Sequence, residues 1–86
     1  MHYQIQLRRS AASVSANIAE GHGQESAAQF ARFLSIAIAS ALESESHIIE
    51  LGMLCLLPAD TVAHLLGEFR IVRAMCIRLR TALRRR

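Results

Sequence analysis

The sequence predicts an all-α fold, an up-down antiparallel helical bundle with three long helices, and three observations carry that prediction. Apolar residues recur at alternating steps of three and four along most of the chain. No stretch alternates apolar and polar residues like a half-buried strand, and no Asn-Gly or Asp-Gly hairpin dipeptide occurs. Gly21, Gly23 and Pro58 fall between the periodic segments and divide the chain in three.

The first helix is expected from about Tyr3 to Ala19. Leu7, Ala11, Val14 and Ile18 share one face. Gly21 reads as its C-terminal stop, with Gly21-His22-Gly23 as the turn. The second is expected from about Gln24 to Leu56. Its seam runs Phe30, Leu34, Ala37, Ala41, Ser44, Ile48, Leu51 and Cys55. At 1.5 Å per residue it is about 50 Å long. A further stripe, Ile38, Leu42, Ile49, Met53 and Leu56, predicts that this helix buries two faces, the second against a neighbouring subunit. Small residues, among them Ser35, Ala37, Ser40 and Ser44, allow close helix approach. The third is expected from about Ala59 to Leu83, on the seam Val62, Leu65, Phe69, Val72, Cys76, Leu79 and Leu83. Pro58 suits a helix start, where its missing N–H costs nothing. Asp60 puts negative charge in the first turn.

Composition sets the bounds on function. The chain has 86 residues, 52% of them apolar, which excludes a disordered chain and leaves room for one domain, residues 1–86. A chain this short buries only about 60–65% of its unfolded surface. It therefore carries more apolar side chain than a small core hides, and self-association is the natural outlet. Cys55 and Cys76 lie in apolar stretches and form no disulfide framework, which fits free thiols in a reducing cytoplasm. No signal peptide and no membrane span is legible.

Charge is uneven. The net charge is +3, with ten Arg and no Lys. Residues 20–60 carry −5 and residues 68–86 carry +6. A basic segment of this kind is an electrostatic footprint for nucleic acid or another acidic partner. It is equally what a solvated helix end looks like, with cations opposing the C-terminal dipole.

The stretch from Gln6 to Gly21, QLRRSAASVSANIAEG, resembles the Q-[LIM]-R-R-A-x-x-S-[IV]-x-x-N-I-A-E-G signature of one bacterial family. Phe30-Ala31-Arg32-Phe33-Leu34-Ser35-Ile36-Ala37, followed by Ser40, Glu43 and Glu45, is similar to the same family's next motif, F-x-R-F-L-x-x-A-x-G-S-x-x-E-x-E. These are the four-helix-bundle proteins of 23S ribosomal RNA intervening sequences, which include the accessory variability protein of diversity-generating retroelements. Ile38 and Ala39 stand where the family usually has Arg and Gly. The family's first helix has no counterpart here, which leaves a long middle helix partly uncovered. The resemblance implies a homo-oligomer, most often a ring of five, and no enzymatic activity. For the retroelement members it also implies a basic surface that binds nucleic acid and a reverse transcriptase.

Several side-chain groups remain to be weighed. Arg8 and Arg9 point about 100° apart on a helix, so one can face inward. A cross-helix ion pair from Arg8 or Arg9 to Glu43 or Glu20 is expected, with Ser13, Asn17 and Ser40 completing the hydrogen bonding. Phosphate binding by the two arginines is the competing role. Glu43, His47 and Glu50 share one helix face, but a di-metal bundle needs Glu-x-x-His on two helices, and no metal is expected. The R-x4–6-H pattern of helical-bundle ribonucleases is absent. No cofactor loop is present. Arg70, Arg73, Arg80 and Arg84 form a stripe beside the seam of the third helix, suited to phosphate contacts. Aromatic stacking platforms are lacking, so binding to RNA or DNA should be backbone-driven and salt-sensitive. The expected protein is a cytoplasmic, non-enzymatic oligomeric scaffold using this stripe. The alternative is a structural oligomer whose Arg tail only keeps it in solution.

Overall fold

The computed structural model describes residues 2–86 as three helices: α1 (His2–His22), α2 (Ala27–Met53) and α3 (Ala59–Arg84). Residues 10 and 13 of α1 meet residues 44 and 40 of α2, so the two run antiparallel. Glu45 meets Arg73, and Ser35 meets Arg80, so α2 and α3 are antiparallel as well. The order is up-down-up. Both outer helices pack on α2 and neither packs on the other. No helix is long and apolar enough to cross a membrane among the described residues.

The boundaries differ from the sequence expectation for local reasons. Residues Gly21 and His22 continue α1, and no glycine has positive φ. Gly21 is therefore not a left-handed stop. Its lack of a side chain serves packing: a Cβ there would lie 2.8 Å from Phe30 Cδ1 and from Phe33 Cβ. α2 starts three residues later than expected because Ser26 caps it, its side chain accepting from Gln29 N at 3.1 Å. It ends at Met53, where Cys55 takes φ 57°. Leu56 N donates to Leu51 O at 2.9 Å and Cys55 N to Gly52 O at 3.0 Å, the two bonds of a Schellman stop. α3 starts at Ala59, where the sequence expectation puts it, with Pro58 as its N-cap, and the Pro58 carbonyl accepts from Val62 N at 3.0 Å.

The core belongs to α2. Its Leu34, Ile48 and Leu51 are fully buried, along with Ser44. α1 adds Val14, and α3 adds Cys76 and Leu83. Ile38, expected on the outer stripe of α2, is buried in the core instead, because it turns toward Cys76 and Leu83. The rest of that stripe, Leu42, Ile49, Met53 and Leu56, lies exposed.

The three helices do not close on themselves. α1 and α3 flank α2 with a groove between them. One cleft of about 350 Å³ is walled by Val14 and Ile18 on one side and Phe69 and Val72 on the other. A second, of about 280 Å³, has Leu34 of α2 in its lining. The accessible surface is 5679 Å². A compact monomer of this mass exposes about 5,000 Å².

Candidate nucleic-acid interface

The arginine stripe stands on the flank of α3 that turns away from the groove and toward Glu45 and Ser35 of α2. Arg73 lies one position past the seam residue Val72. That offset lets its long side chain reach back across the helix contact, with its stem on apolar surface. There it meets Glu45, which is 7% exposed. Arg73 Nε donates to Glu45 Oε2 at 2.8 Å and Nη2 donates to Oε1 at 3.1 Å. The fork is bidentate, the strongest arrangement for this pair. It holds the Arg73 guanidinium above its ordinary range: the hydrogen bond to Glu45 raises its pKa, burial lowers it, and the charge of Glu45 raises it further.

Arg70, one turn earlier and more exposed, brings Nε to 3.5 Å from Glu45 Oε1. Arg80 Nη1 donates to Ser35 Oγ at 3.1 Å, and its Nε is buried without a partner. Ser35 Oγ itself donates to Ala31 O at 3.2 Å, so it is oriented to accept from Arg80. Arg84 is exposed and has no ion-pair partner among the described residues. The stripe is thus of two kinds. Arg73 and Arg80 are rooted in α2, while Arg70, though paired at longer range with Glu45, and Arg84 are largely exposed to solvent. The Glu45 carboxylate meets two of the four guanidinium groups, those of Arg70 and Arg73, so the face keeps a positive excess.

The sequence expectation for the α1–α2 contact requires correction. Arg8 and Arg9 are both exposed, and no ion pair joins either to Glu43 or Glu20 among the described residues. Both arginines point away from α2 because Ser10, Val14 and Gly21 occupy the inward face. Serine hydroxyls bridge the helices instead. Ser44 Oγ lies 2.8 Å from Ser10 Oγ and 2.9 Å from Ser40 O, with one proton to give to either. Ser10 Oγ donates to Leu7 O at 3.1 Å, so it can only accept from Ser44. Ser13 and Ser40 meet at 2.8 Å. Asn17 Nδ2 donates to Ser13 O at 2.8 Å and to Ser13 Oγ at 3.0 Å. Asn17 and Ser40 therefore belong to one network, and Glu20 and Glu43 stand outside it.

His47 lies 3.6 Å from Glu43 and 3.8 Å from Glu50. Among the described residues no group of three His, Cys, Asp or Glu side chains is arranged to hold a metal ion.

Sequence reasoning missed Glu45 as the acid of the α2–α3 contact. The signal was present: Glu45 and Arg73 each stand one position past a seam residue, Ser44 and Val72, on facing helices of opposite charge. A family model described as 23S rRNA-intervening sequence protein matches residues 1–78, a span that includes Arg70 and Arg73 and stops short of Arg80 and Arg84. No curated protein and no solved structure matches.

Proposed function

Since the chain belongs to the 23S rRNA-intervening sequence protein family, we propose that it is a non-enzymatic, homo-oligomeric scaffold that binds nucleic acid through the basic face of α3. One observation carries this reading. Arg70, Arg73, Arg80 and Arg84 are spaced along one rigid helix, and the only acid paired with any of them among the described residues is Glu45, engaged by Arg73 and, at longer range, by Arg70. Guanidinium groups held this way match phosphate geometry bidentately. Arg70 and Arg84 meet the phosphates of RNA or DNA, and Arg73 and Arg80 orient the helix. Nothing on this face reads base edges, so binding is to backbone. A reverse transcriptase, whose own nucleic acid would lie on the same face, is the protein partner this reading favours. The cytoplasm is the compartment it assigns.

The test is fluorescence anisotropy with labelled single- and double-stranded RNA and DNA at two salt concentrations. Replacing Arg70 and Arg84 with Ala should weaken binding and flatten its salt dependence, by a slope of about 0.7–0.9 per lost phosphate contact. Binding that is absent at low salt would refute the nucleic-acid role. A folded oligomer that ignores all four probes would instead be the structural assembly, with the arginines serving the α2–α3 contact and solubility.

A further inference from the structure

Toward the start of α2 and the end of α3, their contact carries arginines and no acid. α2 has no Asp or Glu between Glu25 and Glu43, and α3 has none after Glu68. Here Arg80 of α3 meets Ser35 of α2. Arg32 stands three residues before Ser35 and Arg84 four after Arg80, so each shares a face with its neighbour. The two steps cover about 4.5 and 6 Å along their helices. The helices run antiparallel, so both steps lead the same way and Arg32 comes opposite Arg84. Ala31 and Leu34 of α2 and Leu83 of α3 belong to one buried cluster beneath. The backbones that carry the three arginines are therefore fixed.

None of the three is neutralised. Arg32 and Arg84 are exposed, and no ion pair joins Arg32, Arg80 or Arg84 to an acid among the described residues. Arg80, which orients the helix through Ser35, has donors left over. Its guanidinium offers five N–H groups. One reaches Ser35 Oγ at 3.1 Å, and the Nε group is buried without an acceptor. Ser35 Oγ gives its own proton to Ala31 O at 3.2 Å, so it holds Arg80 in place and has none to give a ligand. An anion that draws this guanidinium outward supplies the acceptor the protein lacks. The stripe is different around Glu45, where Arg70 and Arg73 share the carboxylate.

Charge selects among phosphates. A bridging phosphodiester carries one negative charge, whereas a phosphate monoester carries about 1.5–2 at pH 7. Three unneutralised guanidinium groups around one point favour the more highly charged group, and a guanidinium can grip two of its oxygens at once. We infer that Arg32, Arg80 and Arg84 form a seat for one phosphate monoester, the terminal phosphate of a nucleic-acid strand. The inference rests on the nucleic-acid role proposed above. It adds an arginine of α2 to the interface and says which part of the strand is gripped.

Fluorescence anisotropy tests it with one internally labelled single strand, made with a 5′-phosphate, a 3′-phosphate or hydroxyls at both ends. One phosphate-ended form should bind about tenfold more tightly than the hydroxyl-ended form, the worth of one further charge-assisted hydrogen bond. Arg32→Gln should abolish that preference while the hydroxyl-ended strand still binds. Arg9→Gln, which removes an exposed arginine of α1, should leave the preference unchanged. Helical circular dichroism confirms that each variant is folded. Thermal melts in inorganic phosphate against chloride at equal ionic strength probe the seat without a strand. Phosphate should raise the midpoint of the unaltered chain and not that of Arg32→Gln. Equal binding of all three strands would overturn the seat and leave the nucleic-acid role standing. If no strand binds but phosphate stabilises through Arg32, the seat holds free phosphate and its assignment to a strand end is wrong. If no strand binds and phosphate has no effect, both the seat and the nucleic-acid role are refuted.

Discussion

Glu45 and Arg73 are joined by two hydrogen bonds across the α2–α3 contact, at 2.8 and 3.1 Å, and Glu45 is almost wholly buried. An acid in that position has no water to turn to. Removing the guanidinium leaves a buried carboxylate with only Arg70 nearby. Arg73→Ala should therefore cost about 2 kcal/mol in a chemical-denaturation measurement, the range for hydrogen bonds to charged groups. Arg73→Lys should recover only part of it, because an ammonium cannot supply the fork. Arg84→Ala should leave stability unchanged within about 0.5 kcal/mol.

The glycines make opposite predictions. A Cβ at Gly21 would stand 2.8 Å from Phe33 Cβ, close to the backbone of α2, which cannot yield easily. Gly21→Ala should destabilise by about 1–3 kcal/mol. At Gly67, inside α3, nothing lies within 4 Å of the added carbon. Gly67→Ala should stabilise by about 0.5–1 kcal/mol, since alanine forms helix better. Paired thermal melts of the two variants read both signs.

Cys55 occupies the left-handed position of a Schellman stop, with φ 57°. A side chain there costs about 1 kcal/mol that glycine avoids. Cys55→Gly should raise the unfolding midpoint. The same exposure makes Cys55 the thiol that reacts first with a disulfide reagent in the folded protein.

Cys76 behaves in the contrary way. Burial pushes its thiol above the ordinary value of 9.0. The folded state thus holds that proton more tightly than the unfolded state does. The stabilisation is complete below the unfolded pKa and is lost as pH rises through the folded one. The stability advantage of the native chain over Cys76→Ala should therefore shrink above about pH 9, as followed by urea unfolding at neutral and alkaline pH. Cys76 should react with thiol reagents only as the chain unfolds.

The sequence by itself determined the three helices, their antiparallel order and the central place of α2. Periodicity is local, and Leu34, Ala37, Ile48 and Leu51 announce a buried face wherever the helix is put. It also marked the arginine stripe, since the spacing of Arg70, Arg73, Arg80 and Arg84 along one helix is a matter of 100° steps. Only the tertiary structure decided who meets whom. Arg8 and Arg9 face solvent while Ser10 and Ser13 join α1 to α2. Glu45 finds Arg73 across 28 residues of chain. Those partners depend on how each helix is rotated about its axis and slid along its neighbour. A rotation of about 100° would bring Arg9 to the place of Ser10 without altering the spacing of either along the helix, so side-chain packing across the contact makes that choice.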